Sequence, residues 1–235
     1  MQTKYKLLLL DADNTLLDFD AAERHALSNT FADCGWEYNE QTYACYHSIN
    51  DALWKELEKG NVTRSELKLL RFARTADWMR QNGYHVPANT DLEYMCARYI
   101  LHLGECGKLL DGADALCAAL KERYRLSIIT NGTASVQYSR MKHAGLEPYF
   151  EHLFISEEIG AEKPSPDFFA PVFAAFPGID RREMLVIGDS ISSDMKGAYN
   201  AGIDACYLNA GDAPQEPPIR YHAKNFEELM KFLLF

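Results

Sequence analysis

Short apolar segments alternate with amphipathic stretches through the second half of the chain, and this alternation restricts the fold more than any other feature of the sequence. The apolar segments, together with one at the N-terminus, are predicted strands at residues 5–10, 126–130, 153–155, 184–188 and 205–208. The amphipathic stretches are predicted helices at residues 113–124, 135–144, 167–176, 193–201 and 225–235. Strands that alternate with helices form parallel sheets with helices on both faces. The sequence therefore predicts an α/β fold built on a doubly wound parallel sheet.

Residues 20–103 show a different pattern, with helical periodicity and no strand-like run. Three capping-box spacings divide this stretch into about four helices, at Asp20/Glu23, Thr63/Glu66 and Thr90/Glu93. Because the stretch follows directly on the first strand, we interpret it as an insertion into the sheet domain. The predicted domains are a Rossmann-like catalytic core of residues 1–17 and 106–235 and an all-helical cap domain of residues 18–105.

Net charge and cysteine content argue against nucleic-acid binding and against a disulfide-bonded secreted protein. Lys and Arg number 24 against 34 Asp and Glu, and the resulting formal charge of −10 repels nucleic-acid polymers because no cationic cluster is visible. The six cysteines show no C-x-x-C spacing, which indicates reduced thiols in a cytoplasmic protein. The four leucines before Asp11 are too few for a signal peptide or a membrane span. We expect a cytoplasmic protein without a membrane partner, either a monomer or a small homo-oligomer.

Polar side chains follow the predicted strands at the points where these strands end. Four strand ends carry them, in chain order: Asp11 and Asp13; Thr130 and Asn131; Lys163; Asp189 and Asp194. Functional groups of a parallel sheet lie just beyond the carboxyl ends of its strands. We therefore expect these side chains to converge at one edge.

Such a cluster has a specific chemistry. Three carboxylates in one pocket repel each other unless a cation neutralises them, and oxygen ligands alone suit Mg²⁺. Lys163 adds a fixed positive charge, the Thr130 hydroxyl can donate a hydrogen bond, and the N–H groups at the start of the next helix suit a phosphate. The residues therefore predict a magnesium site and a small phosphorylated substrate.

Each of these signals has a structural explanation when it stands alone. Asp11 and Asp13 could form an acidic turn, and Thr130 with its neighbour could begin a helix. Lys163 could lie in a solvated loop, and Asp194 could cap a helix. A strand followed directly by a carboxylate occurs twice, at Asp11 and at residue 189, and this repetition favours a functional site.

Taken together, four segments resemble the signature motifs of the haloacid-dehalogenase-like (HAD) hydrolase superfamily. They are D-A-D-N-T at 11–15, I-I-T-N-G ending at Gly132, A-E-K-P-S-P around Lys163 and G-D-S-I-S-S-D at 188–194. Their order and spacing match over the whole chain, and the helical insertion between the first two motifs resembles the first-type (C1) cap of that superfamily.

The resemblance implies a phosphatase mechanism. Asp11 would attack phosphorus and form an aspartyl-phosphate, and Asp13 would act as general acid and then as general base. Lys163 would link Asp11 electrostatically to the phosphate, while Thr130 and the N–H of Asn131 would hold its oxygens.

The resemblance also implies a set of metal ligands. Mg²⁺ would be held by the carboxylates of Asp11 and Asp189 and by the main-chain carbonyl of Asp13. Asp194 would ligate the ion directly or through water.

Segments of the insertion at 50–54, 60–63 and 71–72, and I-S-E-E-I-G at 155–160, resemble a bacterial pyrimidine nucleoside 5′-monophosphatase subfamily. This resemblance implies a 5′-nucleotidase. The aromatic and polar residues of the insertion are expected to be mainly structural, because aromatic residues at helical spacing usually belong to a core.

Other functions fit parts of the pattern. A dehalogenase is disfavoured because that branch lacks an acid two residues after the nucleophile, where this chain has Asp13. A sugar-phosphate phosphatase or a phosphoglucomutase-like phosphotransferase would use the same residues. The inserted helices and the chain length disfavour a phospho-accepting regulatory domain, and the intact motifs disfavour a silent binding protein.

Overall fold

The computed structural model describes residues 4–213 and 215–235. Residues 1–3 and Pro214, which belong to the predicted core, lie outside the described residues. The chain divides into two compact units: Gly107–Phe235 together with the N-terminal segment up to Phe19, and Asp20–Cys106.

In the described residues the first unit contains a six-stranded parallel sheet. Its strands are β1 (Leu7–Leu10), β2 (Arg125–Thr130), β3 (His152–Ile155), β4 (Met184–Gly188), β5 (Asp204–Leu208) and β6 (Tyr221–Ala223). They lie in the order β3-β2-β1-β4-β5-β6, and all neighbouring strands are parallel. The predicted doubly wound sheet is confirmed, and the order changes direction at β1, where such sheets bind their ligands.

Strand β1 lies between β2 and β4 and is buried on both faces. Its four leucines are fully buried and alternate between two apolar clusters, with Leu8 and Leu10 in one and Leu7 and Leu9 in the other. A continuous apolar run is expected of a strand that is covered by helices on both sides.

The second unit is all-helical in the described residues, as predicted for the insertion. Its helices are α1 (Phe19–Cys34), α2 (Glu40–Glu58), α3 (Arg64–Gln81) and α4 (Leu92–Glu105). None of the helices in the described part of the chain has the length and apolar content needed to cross a lipid bilayer.

The predicted capping boxes have different outcomes. The box of Thr63 and Glu66 is present at the start of α3. The box at Thr90 is wrong, because Asp91 caps α4 through the N–H of Tyr94 at 3.0 Å and the Thr90 hydroxyl donates to Pro87 O instead.

The remaining helices pack on the sheet. They are α5 (Ala113–Lys121), α6 (Ala134–His143), α7 (Ser156–Ile159), α8 (Ala170–Ala175), α9 (Lys196–Ala201) and α10 (Phe226–Leu234). Helix α8 is preceded by a 3₁₀ turn, Pro166–Phe169, and α9 by a π-helical turn, Ile191–Met195, so both are shorter than predicted. Single π-helical turns occur often at functional sites.

Candidate active site

Three carboxylates meet at the carboxyl ends of the two central strands. Asp11 follows β1, Asp189 follows β4, and Asp194 lies in the π-helical turn after β4. One carboxylate oxygen from each of them lies within 4.8 Å of the others. The N–H of Asp11 donates to Ile187 O at 2.8 Å, so the pairing of β1 with β4 continues to Asp11.

Lys163 lies between two of these carboxylates. Its Nζ donates to Asp11 Oδ1 at 2.7 Å, to Asp194 Oδ1 at 2.6 Å and to Ile129 O at 2.8 Å. All three donor positions of the ammonium group are therefore used, and the side chain is only 1% exposed. The interpretation of Lys163 as a solvated loop lysine is wrong.

The turn after β4 is shaped around Asp194. Its Oδ2 accepts the N–H of Ser190 at 3.1 Å, and its Oδ1 accepts from Lys163. A Cβ atom on Gly188 would lie 2.2 Å from Asp194 Oδ2, so glycine at this position leaves the space that the carboxylate occupies. The structure therefore gives Asp194 a place in the cluster rather than only a helix-capping role.

Burial and mutual repulsion make the negative charges of the cluster costly. Burial raises the pKa of Asp11 well above its usual value, and the neighbouring carboxylates add to this effect against the opposing influence of Lys163. Burial, followed by repulsion from Asp194, raises the pKa of Asp189 to about 7. Burial alone lowers the pKa of Lys163, but Asp11 and Asp194 raise it above its ordinary value. The cluster holds more negative charge than one lysine neutralises.

This donor set fits a hard divalent cation. It offers only oxygen ligands from Asp11, Asp189 and Asp194, and the raised pKa values indicate that a further positive charge would be favourable. Carboxylate oxygens without thiolate or imidazole ligands suit Mg²⁺ better than Zn²⁺.

The second strand end supplies the groups predicted to bind phosphate. The Thr130 hydroxyl accepts the N–H of Gly132 at 3.2 Å and Gln137 Nε2 at 2.7 Å, which leaves its own proton to donate. The Asn131 side chain accepts the N–H of Lys163 and donates to Lys163 O, both at 2.8 Å. Asn131 therefore fixes the backbone that carries Lys163, a contact that the sequence did not reveal.

Asp13 is held by two residues that the sequence analysis missed. Gln137 Nε2 donates to Asp13 Oδ2 at 2.9 Å, and Arg140 Nη1 forms an ion pair with Asp13 Oδ1. Both residues lie on α6 three positions apart, and both are buried. A glutamine and an arginine at helical spacing, five and eight residues after Gly132, were the available signal.

Comparison with known proteins agrees with this geometry. The family model of haloacid dehalogenase-like hydrolases matches residues 5–202. The HAD-hydrolase YfnB of Bacillus subtilis (strain 168) is 36% identical over 232 residues, which cover 98% of this chain and 96% of that protein. A crystal structure of YfnB bound to magnesium has a TM-score of 0.89 at 35% identity and covers 99% of this chain and 100% of that one.

Two further relatives carry a named activity. Pyrimidine 5′-nucleotidase PynA of Streptococcus pneumoniae (strain ATCC BAA-255 / R6) is 38% identical over 207 residues, 87% of this chain and 84% of that protein. Pyrimidine 5′-nucleotidase YjjG of Escherichia coli (strain K12) is 31% identical over 207 residues, 88% of this chain and 87% of that protein. These matches confirm the resemblance carried by the four motifs, and the chain belongs to the haloacid dehalogenase-like hydrolase family.

Proposed function

We propose that this hydrolase is a magnesium-dependent phosphatase of pyrimidine nucleoside 5′-monophosphates that acts through an aspartyl-phosphate on Asp11. The observation that supports it best is the buried contact between Asp11 and Lys163 in a cluster of carboxylates. Such an aspartate is oriented by a fixed cation, and the carboxylates beside it offer oxygen ligands for the Mg²⁺ ion that an anionic phosphoryl group would need there.

In the first step, a carboxylate oxygen of Asp11 attacks phosphorus, and the bond from phosphorus to the ester oxygen breaks. Asp13 gives a proton to the departing alcohol. Lys163 attracts the phosphoryl oxygens, and Thr130 with the N–H of Asn131 binds them.

In the second step, water attacks the phosphorus of the aspartyl-phosphate, and Asp13 takes a proton from that water. The bond between phosphorus and the Asp11 oxygen breaks, which releases inorganic phosphate and restores the carboxylate. Asp13 ends the cycle protonated, as it began, because the proton taken from water replaces the one that left with the alcohol.

Mg²⁺ would be held by Asp11, Asp189, Asp194 and the main-chain carbonyl of Asp13. When bound, it would neutralise charge on the phosphoryl oxygens. The magnesium present in the YfnB structure supports this choice of ion.

The substrate class rests on the relatives. PynA and YjjG are both pyrimidine 5′-nucleotidases, and each matches more than four fifths of this chain at 31–38% identity. The acid at Asp13 is the group that distinguishes phosphatases from dehalogenases in this superfamily, and it is present and held in place.

A phosphate-release screen with and without Mg²⁺ tests the proposal. It would include nucleoside 5′-monophosphates of all common bases and a panel of sugar phosphates. We expect the highest kcat/KM with a pyrimidine nucleotide and no turnover by Asp11→Asn. Asp114→Asn, which changes an exposed carboxylate at the start of α5, is the matched control and should keep full activity.

Two results would overturn the proposal at different levels. Faster hydrolysis of sugar phosphates than of every nucleotide would reject the substrate class and leave the mechanism intact. An Asp11→Asn variant as fast as the wild type would reject the mechanism.

A further inference from the structure

The carboxylate of Asp13 is held from a single helix. Gln137 donates to its Oδ2 at 2.9 Å and Arg140 to its Oδ1, so each oxygen has its own donor. Residues three apart on a helix lie on the same face, and this spacing lets both donors reach one carboxylate. Two hydrogen bonds to the two oxygens fix the plane of the carboxylate as well as its position.

Gln137 joins Asp13 to the second strand end. Its Nε2 donates both to Asp13 Oδ2 and to Thr130 Oγ1, at 2.9 and 2.7 Å. A Cβ atom on Gly132 would lie 2.5 Å from the Gln137 side chain, so the glycine of the T-N-G segment leaves room for this bridge. The proposed proton donor and the proposed phosphate ligand are thereby held in a fixed relation.

Stability alone is a weak explanation for this arrangement. The Arg140 side chain is 1% exposed and its partner Asp13 is 28% exposed. Well-packed apolar residues often replace buried ion pairs with no loss of stability, so a buried pair is weak evidence of a stabilising role. A requirement on the position of Asp13 accounts for the contacts more directly.

We propose that Gln137 and Arg140 are positioning residues that hold Asp13 where it exchanges a proton with the leaving-group oxygen. This inference rests on the proposed phosphatase function. Its specific consequence is a dependence on the leaving group: departure of a nucleoside 5′-oxygen needs the proton, whereas p-nitrophenolate is stable without one.

The test compares kcat/KM for a pyrimidine nucleoside 5′-monophosphate and for p-nitrophenyl phosphate. We expect Arg140→Gln, which keeps the contact of Gln137 with Thr130, to lose about 10²-fold on the nucleotide, the lower end of the usual contribution of a general acid, and only a few-fold on p-nitrophenyl phosphate. Gln137→Leu also removes the donor to Thr130, so it should show the same preference on top of a loss shared by both substrates. The loss should lie in kcat rather than in KM. Arg140→Lys, which keeps the charge, should recover part of the activity, and Lys142→Gln on the exposed side of α6 is the matched control.

A double-mutant cycle with Asp13→Asn removes the ambiguity of a folding defect. If Arg140 acts through Asp13, Arg140→Gln should have almost no further effect on nucleotide hydrolysis once Asp13 is replaced. Circular dichroism of each variant checks that the fold is retained.

The outcomes separate the two proposals. Equal losses on both substrates, no loss on either, or additive losses in the cycle would overturn the positioning role while the phosphatase function stands. A folded wild-type protein without Mg²⁺-dependent hydrolysis of either substrate would overturn the proposed function and this inference with it.

Discussion

The two units of the chain accommodate buried cations in different ways. In the sheet unit, Lys163 lies between the carboxylates of Asp11 and Asp194. In the helical unit, the guanidinium of Arg71 lies 4.3 Å from the centroid of the Tyr99 ring. Arg71 is 3% exposed, and its Nε and Nη2 have no hydrogen-bond partner in the part of the chain that the structure describes.

The helical unit also contains a buried anion, Glu23, whose surroundings differ from those of the carboxylates in the sheet unit. Glu23 is fully buried. Its carboxylate accepts hydrogen bonds from Asn50 Nδ2 at 2.9 Å and from the Tyr43 hydroxyl at 3.2 Å, and it contacts His47 Nδ1 at 2.5 Å. Its partners are neutral groups and one histidine rather than a permanent cation. Lys163 thus lies in a compact ion cluster beside the proposed chemistry, whereas Arg71 and Glu23 of the helical unit contact mainly aromatic and neutral groups.

The largest effect that this contrast predicts is the loss of the buried lysine, compared with the loss of the buried arginine in the other unit. Lys163→Met leaves two buried carboxylates without their cation, and we expect it to lower the free energy of unfolding by about 3–5 kcal/mol in the absence of metal. It should also reduce kcat by on the order of 10²-fold or more. Arg71→Met removes a buried charge that forms no ion pair with a carboxylate of the described residues, and we expect a change of less than about 1 kcal/mol.

Urea unfolding of both variants in EDTA measures the difference. Similar losses in the two variants would show that the contrast between paired and dispersed charge has no energetic meaning. A Lys163→Met protein as stable as the wild type would show that the carboxylates do not need their cation.

Binding of Mg²⁺ to the carboxylate cluster of the sheet unit should stabilise the fold by an amount that depends on pH. Asp11 and Asp189 have raised pKa values in the folded chain, that of Asp189 being about 7. A carboxyl group with a raised folded pKa favours the fold while it is protonated, and this contribution is lost as the pH rises through the folded pKa. Mg²⁺ replaces these protons, so its stabilising effect should grow from about pH 6 to about pH 8.

Thermal unfolding with and without Mg²⁺ at the two pH values provides the measurement. Free Mg²⁺ at about 100 times its Kd should stabilise the protein by about 2.7 kcal/mol at the higher pH. Asp189→Asn should reduce this gain. An equal shift in Tm at both pH values would contradict the proposed competition between protons and metal.

The sequence predicts the strand-end residues well because a simple rule places them. Asp11, Thr130 and Asp189 each end or follow an apolar run, and parallel strands bring such positions to one edge of the sheet. Lys163 needs the motif in addition, because it lies beyond α7 and its burial cannot be deduced from a loop sequence.

The residues that support the site are harder to predict. Gln137 and Arg140 lie on a helix that also packs against the sheet, and hydrophobic periodicity alone does not distinguish a polar pair that contacts a carboxylate from one that faces solvent.

Two features away from the site are also missed by the sequence analysis. Strand β6 is one of them, because Tyr221–Ala223 is short and only its last residue is buried. Glu23 has the spacing of a capping box, yet α2 offers its carboxylate three donors, a tertiary contact that local spacing does not record.

The smallest predicted effect concerns His47 in the helical unit. Its hydrogen bond to Glu23 raises the pKa of His47, against the lowering effect of burial. A histidine whose folded pKa is raised stabilises the fold below its unfolded pKa, and this contribution is lost as the pH rises through the folded pKa. Because the His47 side chain is 46% exposed, solvent screens the pair and the gain in stability should be small.

We therefore expect His47→Gln to lower Tm slightly at about pH 5.5 and to have no effect at about pH 8.5. His25→Gln, which changes an exposed histidine of α1, is the control. A loss of the same size at both pH values would mean that His47 contributes packing rather than charge, and the dispersed arrangement around Glu23 would then hold no ion pair.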